Sequence, residues 1–288
     1  MVRPIAEAIN NGGEYKKTTF GSISYGNTAF SMGYYAKMLN DAAGEEVVKA
    51  VAFVPPTLQN KTFGPDSENR VVSGEKVLNK ISETCQLVDI DLTKKIYRSK
   101  DLEEIARDNN AVLDEFIDIT EGLDRPAYVN IIIEAVEQQL KFAPNYVIVP
   151  FGAGILCNEI IDYVKDNNLK TKVIPVSSGN PETIGIMLYG PVWVDTETML
   201  REGKGMTRHD LPDKKGRTRD QYPVYHVTDD EMKSAMNLMK DAGLSAEASG
   251  ASGCAILPRL KQIDPEFNPK AHSVLVINTG NGLLNFAK

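Results

Sequence analysis

The chain has 288 residues, 42% hydrophobic and 25% charged, a balance that fits a globular protein and excludes a disordered one. Its 32 basic and 39 acidic residues leave a net charge of −7, which argues against a nucleic-acid partner, because such a surface needs clustered positive charge. No apolar run approaches a membrane span, and Met1-Val2-Arg3-Pro4-Ile5 carries no signal-peptide core, so a cytoplasmic protein with no membrane partner is expected.

In chain order, Thr18–Ile23 reads as a strand and Ala29–Leu39 as a helix. Val47–Val54 is a continuous apolar run stopped by Pro55-Pro56, the pattern of a strand buried on both faces. Lys76–Glu83 reads as helix, Leu87–Asp91 as extended, Leu102–Asn109 as helix and Phe116–Ile119 as a short strand. Tyr128–Phe142 is an amphipathic helix ended by Pro144; strand Tyr146–Pro150, helix Leu156–Asn167 and strand Lys172–Val176 follow. This alternation predicts an α/β protein with mostly parallel sheets covered by helices, divided into a smaller domain over 1–125 and a larger one over 126–288. Between Asp195 and Pro223 the order breaks, and seven basic residues from Arg201 to Arg219 stand among acids and glycines. That stretch is either a solvated excursion or a loop that closes over a ligand. Asp229–Asp241 is a helix with acids in its first turn, Ala251–Gln262 a second helix and Ser273–Asn278 the last strand.

Three strand ends run into glycine turns, and such turns are where open α/β sheets bind ligands. Gly152-Ala153-Gly154-Ile155-Leu156 lies between a strand and a helix, where small residues let backbone amides converge on an anion such as phosphate. It is also what tight strand–helix packing needs without any ligand. The third glycine of a dinucleotide fingerprint is replaced by Cys157, and the Gly-Lys-Ser/Thr ending of a nucleotide P-loop is absent. Ser24-Tyr25-Gly26-Asn27-Thr28 offers hydroxyls, an amide and open backbone donors at another helix start, and equally the side chains of an ordinary N-cap. Asn278-Thr279-Gly280-Asn281-Gly282 is a tight turn presenting a neutral hydroxyl.

Other constellations are weaker. Cys85, Cys157 and Cys254 fit neither a metal site nor a disulfide frame and read as small buried residues. His209, His226 and His272 are far apart, and Ser249-Gly250-Ala251-Ser252-Gly253 lacks the pattern and adjacent base of a serine hydrolase.

Taken together, the three turns resemble those of the fold-type II pyridoxal phosphate enzymes, which share a tryptophan synthase beta-like fold. Ser24–Thr28 matches that family's asparagine loop and Gly152–Leu156 its phosphate loop after Val-x-Val-Pro. Asn278–Leu283 matches the ending of the threonine-synthase branch. Ala246-Glu247-Ala248-Ser249-Gly250-Ala251 and Glu134-x-x-Glu137-Gln138-Gln139-Leu140 resemble two further segments. The resemblance implies that Asn27 bonds the ring hydroxyl oxygen of pyridoxal 5'-phosphate. It implies that the amides of Gly152, Ala153, Gly154, Ile155 and Leu156 hold the phosphate, and that Thr279 faces the ring nitrogen. Ser24, Tyr25 and Thr28 would lie near the carboxylate of an amino-acid substrate. The implied chemistry is elimination or replacement at the β or γ carbon, on O-phosphohomoserine or O-phosphoserine, by a homodimer.

That chemistry needs a lysine that forms a Schiff base with the cofactor. In the threonine-synthase branch this lysine precedes an Asp-Arg pair, and with Arg3 matched to the arginine it falls on Met1. Lys16 and Lys17 are the nearest substitutes, and the α-amine of Met1 is another. Four readings follow. The chain is a degenerate enzyme, one half of a split enzyme, or a protein whose reading frame begins upstream. The fourth makes it a non-catalytic binding or regulatory protein for a phosphorylated metabolite.

Overall fold

Thr18–Ile23 is buried along its whole length and forms the strand β1, a central strand of a four-stranded sheet in the computed structural model. The structure describes residues 2–24, 26–60, 62–63, 72–91, 97–119, 125–152, 154–177, 204–206, 216, 220 and 222–280. The chain divides into two units, one of Met1–Phe63, Val72–Asp124 and Leu283–Lys288, the other of Gly64–Val71 and Arg125–Gly282.

In the first unit, α1 (Val2–Asn11) precedes β1, and α2 (Asn27–Ala43) leads to β2 (Val48–Val54). A short antiparallel pair, β3 (Thr62–Phe63) and β4 (Val72–Ser73), comes before α3 (Gly74–Ser82), β5 (Gln86–Asp89), α4 (Ser99–Asp108) and β6 (Glu115–Asp118). The sheet runs β5-β2-β1-β6, all parallel. Val51, Ala52 and Phe53 of β2 are fully buried, as a strand covered on both faces requires. The turn into β2 is set by Asn40, whose Oδ1 accepts from the amides of Val47 and Val48 while its Nδ2 donates to the Val48 carbonyl.

The second unit holds α5 (Arg125–Ile133), continued by a π-helical stretch over Glu134–Leu140, then β7 (Tyr146–Pro150), α6 (Ile155–Asp166) and β8 (Lys172–Ser177). Next come β9 (Lys204–Met206), β10 (Pro223–His226), α7 (Asp229–Asp241), α8 (Ala248–Ala255), α9 (Leu260–Ile263) and β11 (Val274–Val276). The sheet runs β11-β7-β8-β10-β9, parallel except for the edge strand β9. Side chains of β7 alternate between two cores. Val147 and Val149 pack with Ile132, Ile160 and Ile161, whereas Tyr146 and Ile148 pack with Met232, Met236, Ala251 and Leu260. The α/β class with mostly parallel, helix-covered sheets is therefore as expected.

Connectivity sets the topological switch points of the two sheets. In the first sheet the chain moves outward from β1 through β2 to β5, then returns to β6 on the other side of β1. In the second it moves outward from β7 through β8 to β10, then returns to β11 on the other side of β7. The topological switch points are thus β1/β6 and β7/β11, and open α/β sheets bind ligands beyond the carboxyl ends of such strands.

Three expectations are corrected. The stretch from Asp195 to Pro223 is not loop throughout, because Lys204–Met206 pairs antiparallel with Pro223–Tyr225; residues 195–203, 207–215, 217–219 and 221 lie outside the described residues. The helix expected over Ala251–Gln262 begins earlier, at Ala248, and breaks into a 3-10 turn at Leu257–Arg259, where Pro258 cannot continue the hydrogen-bond ladder. The helix expected over Tyr128–Phe142 widens into the π-helical stretch. Among the described residues no helix is long and apolar enough to cross a membrane.

Candidate active site

The carboxyl end of β7 carries the clearest anion-binding geometry. Phe151 anchors the turn: its ring is fully buried and its amide donates to the Val176 carbonyl at 2.7 Å. Gly154 then adopts φ +81°, a left-handed conformation that an L side chain rarely takes, and caps α6. Gly154, as N-cap, makes no side-chain cap bond to the first turn of α6, and that turn holds no acidic residue. By contrast, α7 is closed by a capping box between Thr228 and Glu231 and has Asp229, Asp230 and Glu231 in its first turn. One helix start is thus satisfied by its own side chains, whereas that of α6 has no such cap among the described residues, and uncapped helix starts suit anions.

Next to it, at the end of β11, the Asn278–Gly280 turn is held rigidly. Asn278 Nδ2 donates to the Ser245 carbonyl at 3.0 Å, the Gly280 amide donates to Asn278 Oδ1 at 3.1 Å, and the Glu247 amide donates to the Gly280 carbonyl at 3.1 Å. The small residues of Ser249–Gly253 let α8 lie on this strand: a methyl on Gly253 would stand 2.7 Å from Val276 Cγ1. Ser252 Oγ donates to the Ser249 carbonyl, a helix-internal bond and no nucleophile arrangement. Thr279 is exposed at this turn, and among the described residues nothing bonds its hydroxyl. Gly152, Gly154, Ile155, Leu156 and Thr279 are therefore brought together at neighbouring strand ends of one sheet; Ala153 lies outside the described residues.

At the end of β1, Ser24 Oγ accepts from the Ala29 amide at 3.3 Å, which makes it a cap for α2 and leaves its own proton to donate. Asn27 is the first residue of α2 and Thr28 is exposed beside it; Tyr25 lies outside the described residues. Lys17 stands at the opposite end of β1, with Nζ 2.5 Å from Glu45 Oε2, which raises its pKa. Seven residue steps of extended chain put Lys17 roughly 23 Å from Ser24, and Lys16 lies farther still, beyond the reach of either side chain. Met1 lies outside the described residues.

One feature of the site was not assigned a role from sequence. Glu247 is partly buried, burial pushes its carboxyl pKa up, and no hydrogen bond or ion pair reaches that carboxyl among the described residues. Its segment was visible as a motif, but its burial depends on packing between α8 and the Asn278 turn. The cysteines are inert by comparison: Cys85 is buried and its thiol pKa is pushed up to about 11. Among the described residues no three metal-ligating side chains cluster.

The donor set suits pyridoxal phosphate. Amides without a side-chain partner fit its phosphate, and a neutral hydroxyl at the adjacent strand end fits a pyridine nitrogen. A family model, described as Pyridoxal-phosphate dependent enzyme, matches residues 2–280. The chain belongs to the pyridoxal-phosphate dependent enzyme family. Solved structures of such enzymes share its fold. An O-acetylserine dependent cystathionine beta-synthase from Helicobacter pylori is 18% identical with a TM-score of 0.58, over 95% of this chain and 78% of the other. An L-serine ammonia-lyase from Rhizomucor miehei is 17% identical with a TM-score of 0.52, over 96% and 81%. A diaminopropionate ammonia lyase from Escherichia coli is 16% identical with a TM-score of 0.56, over 96% and 71%. No curated protein sequence matches the chain. For this pyridoxal-phosphate dependent family member, the structural neighbours include lyases, synthases and an aspartate racemase, and the fold is tryptophan synthase beta-like.

Proposed function

We propose that this chain is a pyridoxal 5'-phosphate-dependent lyase or synthase of the threonine-synthase type. It would act in amino-acid metabolism, by β- or γ-elimination or replacement on a phosphorylated amino acid such as O-phosphohomoserine or O-phosphoserine. One observation carries the reading: an amide cradle without a side-chain cap and an exposed threonine hydroxyl stand at adjacent strand ends, at a topological switch point. The amides of Gly152, Ala153, Gly154, Ile155 and Leu156 hold the phosphate, Thr279 faces the ring nitrogen, and Asn27 bonds the ring hydroxyl oxygen. Ser24, Tyr25 and Thr28 orient the substrate carboxylate. When bound, pyridoxal phosphate supplies an electron sink for charge developing at the substrate α-carbon. The chain works as a cytoplasmic homodimer.

A second reading has its own support. Among the described residues no lysine stands at the carboxyl end of β1, β6, β7 or β11. This favours a cradle that holds a phosphorylated metabolite without turnover. Titration of the purified chain with pyridoxal phosphate, followed by absorbance and borohydride trapping, tests both. Saturable binding that Gly154→Asp abolishes supports the cofactor reading; no saturable binding overturns it. Turnover of O-phosphohomoserine or O-phosphoserine by the loaded chain separates catalysis from capture.

A further inference from the structure

Ser177 ends β8, the strand beside β7, whose carboxyl end runs into the Gly152–Gly154 turn. The two strands pair Pro150 with Val176, and the Phe151 amide donates to the Val176 carbonyl at 2.7 Å, so Ser177 stands level with Phe151, directly before Gly152. Side chains of β8 alternate between the two cores as those of β7 do. Ile174 and Val176 pack with Met232 and Ala251, whereas Val173 packs with Val147, Val149, Ile160 and Ile161. Ser177 follows Val173 in this alternation and projects to the face that α6 covers. Phe151 lies on that face too, and the turn after it leads there to the start of α6. The Ser177 side chain is fully buried, and among the described residues its Oγ has no hydrogen-bond partner. A hydroxyl taken out of water without a partner destabilises the fold that buries it. An uncapped helix start and a buried hydroxyl without an acceptor thus stand at neighbouring strand ends, on one face of one sheet.

We propose that the Ser177 hydroxyl donates a hydrogen bond to the phosphate seated on the Gly152–Leu156 turn and so holds that group against a second strand. The inference rests on the reading above that this turn holds a phosphate. A charged phosphate oxygen is a strong acceptor, and it gives the hydroxyl proton the partner that the ligand-free fold withholds. The bond forms away from water, where it is stronger than at a surface. Gly152 and Gly154 let the turn shift as the anion enters and reaches the hydroxyl. Serine at this position therefore lowers the stability of the ligand-free chain and raises its affinity for the phosphorylated ligand.

The test compares the full wild-type chain with Ser177→Ala, by urea unfolding without ligand and by titration with three probes. Removing the unpartnered hydroxyl is expected to raise the urea midpoint. The same variant is expected to bind pyridoxal phosphate, and inorganic phosphate, about ten- to hundredfold more weakly, the effect of losing a hydrogen bond to a charged group. Pyridoxal, which lacks the phosphate, is expected to bind both chains alike. Ser177→Cys keeps the size with a weaker donor and is expected to fall between the two; it decides the matter if Ser177→Ala does not fold. Unchanged pyridoxal phosphate affinity in a folded variant, or equal weakening for pyridoxal, overturns the inference and leaves the cofactor reading standing. Absence of saturable pyridoxal phosphate binding by the wild type overturns both.

Discussion

Gly250 approaches Asn278 so closely that a methyl group on its Cα would stand 2.4 Å from Asn278 Oδ1. The same methyl would meet the carbonyl oxygen of Gly280 at 2.7 Å. A side chain can swing away, but the Gly280 carbonyl is backbone and is already engaged by the Glu247 amide. Gly250→Ala is therefore expected to cost about 1–3 kcal/mol, as overpacking of a close contact does. It should also displace Thr279, so pyridoxal phosphate affinity falls together with stability. Gly253→Ala is the control: the atom it meets is the Val276 Cγ1 methyl, a side-chain atom, and it lies away from Thr279. Urea unfolding and a binding titration on both variants check this; equal loss of affinity in the two would show that the Asn278 turn does not transmit the clash.

The starts of α6 and α7 make opposite predictions. Thr228 Oγ1 accepts from the Glu231 amide at 3.2 Å, and Glu231 Oε2 accepts from the Thr228 amide at 2.7 Å. Thr228→Ala is expected to cost about 1 kcal/mol of stability and to leave ligand affinity unchanged. At Gly154, φ +81° makes any side chain strained, so Gly154→Ala is expected to cost about 1–2 kcal/mol. That variant should also weaken pyridoxal phosphate binding, because the turn relaxes away from the conformation that aims its amides. Denaturation midpoints and binding constants for the pair separate a helix closed by its own residues from one left open for an anion.

Much of this architecture was readable before any coordinates, and the exceptions share a physical cause. β1 at Thr18–Ile23, β7 at Tyr146–Pro150 and α7 at Asp229–Asp241 begin and end where the sequence places them. β7 is marked locally by a continuous apolar run, α7 by a cap with acids in the first turn, and β1 by β-favouring residues running into a glycine turn. β9 and β10 carry no such mark. Lys204-Gly205-Met206 and Pro223-Val224-Tyr225-His226 are too short to show a period, and they become strands by pairing, β9 with β10 and β10 with β8. α1 was likewise not anticipated, though its Ile5 is buried. In the site, the glycine turns and Thr279 were legible because a strand running into a turn is a local pattern. The capping bond from Ala29 to Ser24, and the burial of Glu247, belong to tertiary packing and to no short motif.

The amino-terminal end of the second sheet carries a pH-dependent contribution to stability, far from the ligand-binding ends of the strands. Asp264 Oδ2 accepts from Lys172 Nζ at 2.6 Å and from the Tyr146 hydroxyl at 2.8 Å. The lysine bond first, then the tyrosine bond, holds the Asp264 carboxyl below the ordinary range. A carboxyl whose folded pKa is depressed contributes stability that is present above its unfolded value, about 3.9, and is lost as pH falls through the folded value. Asp264→Asn is therefore expected to destabilise the protein by about 1 kcal/mol near neutral pH, a modest figure because Lys172 is half exposed and solvent screens the pair. The gap between wild type and variant should narrow steadily below about pH 4. Tyr146→Phe removes one of the two donors to Oδ2, so the folded carboxyl is less depressed, and the acid-linked loss of stability in that variant should be smaller and complete at a higher pH. Urea midpoints measured across the acid range check both; a gap that stays constant down to the lowest pH would show that the Asp264 charge contributes nothing.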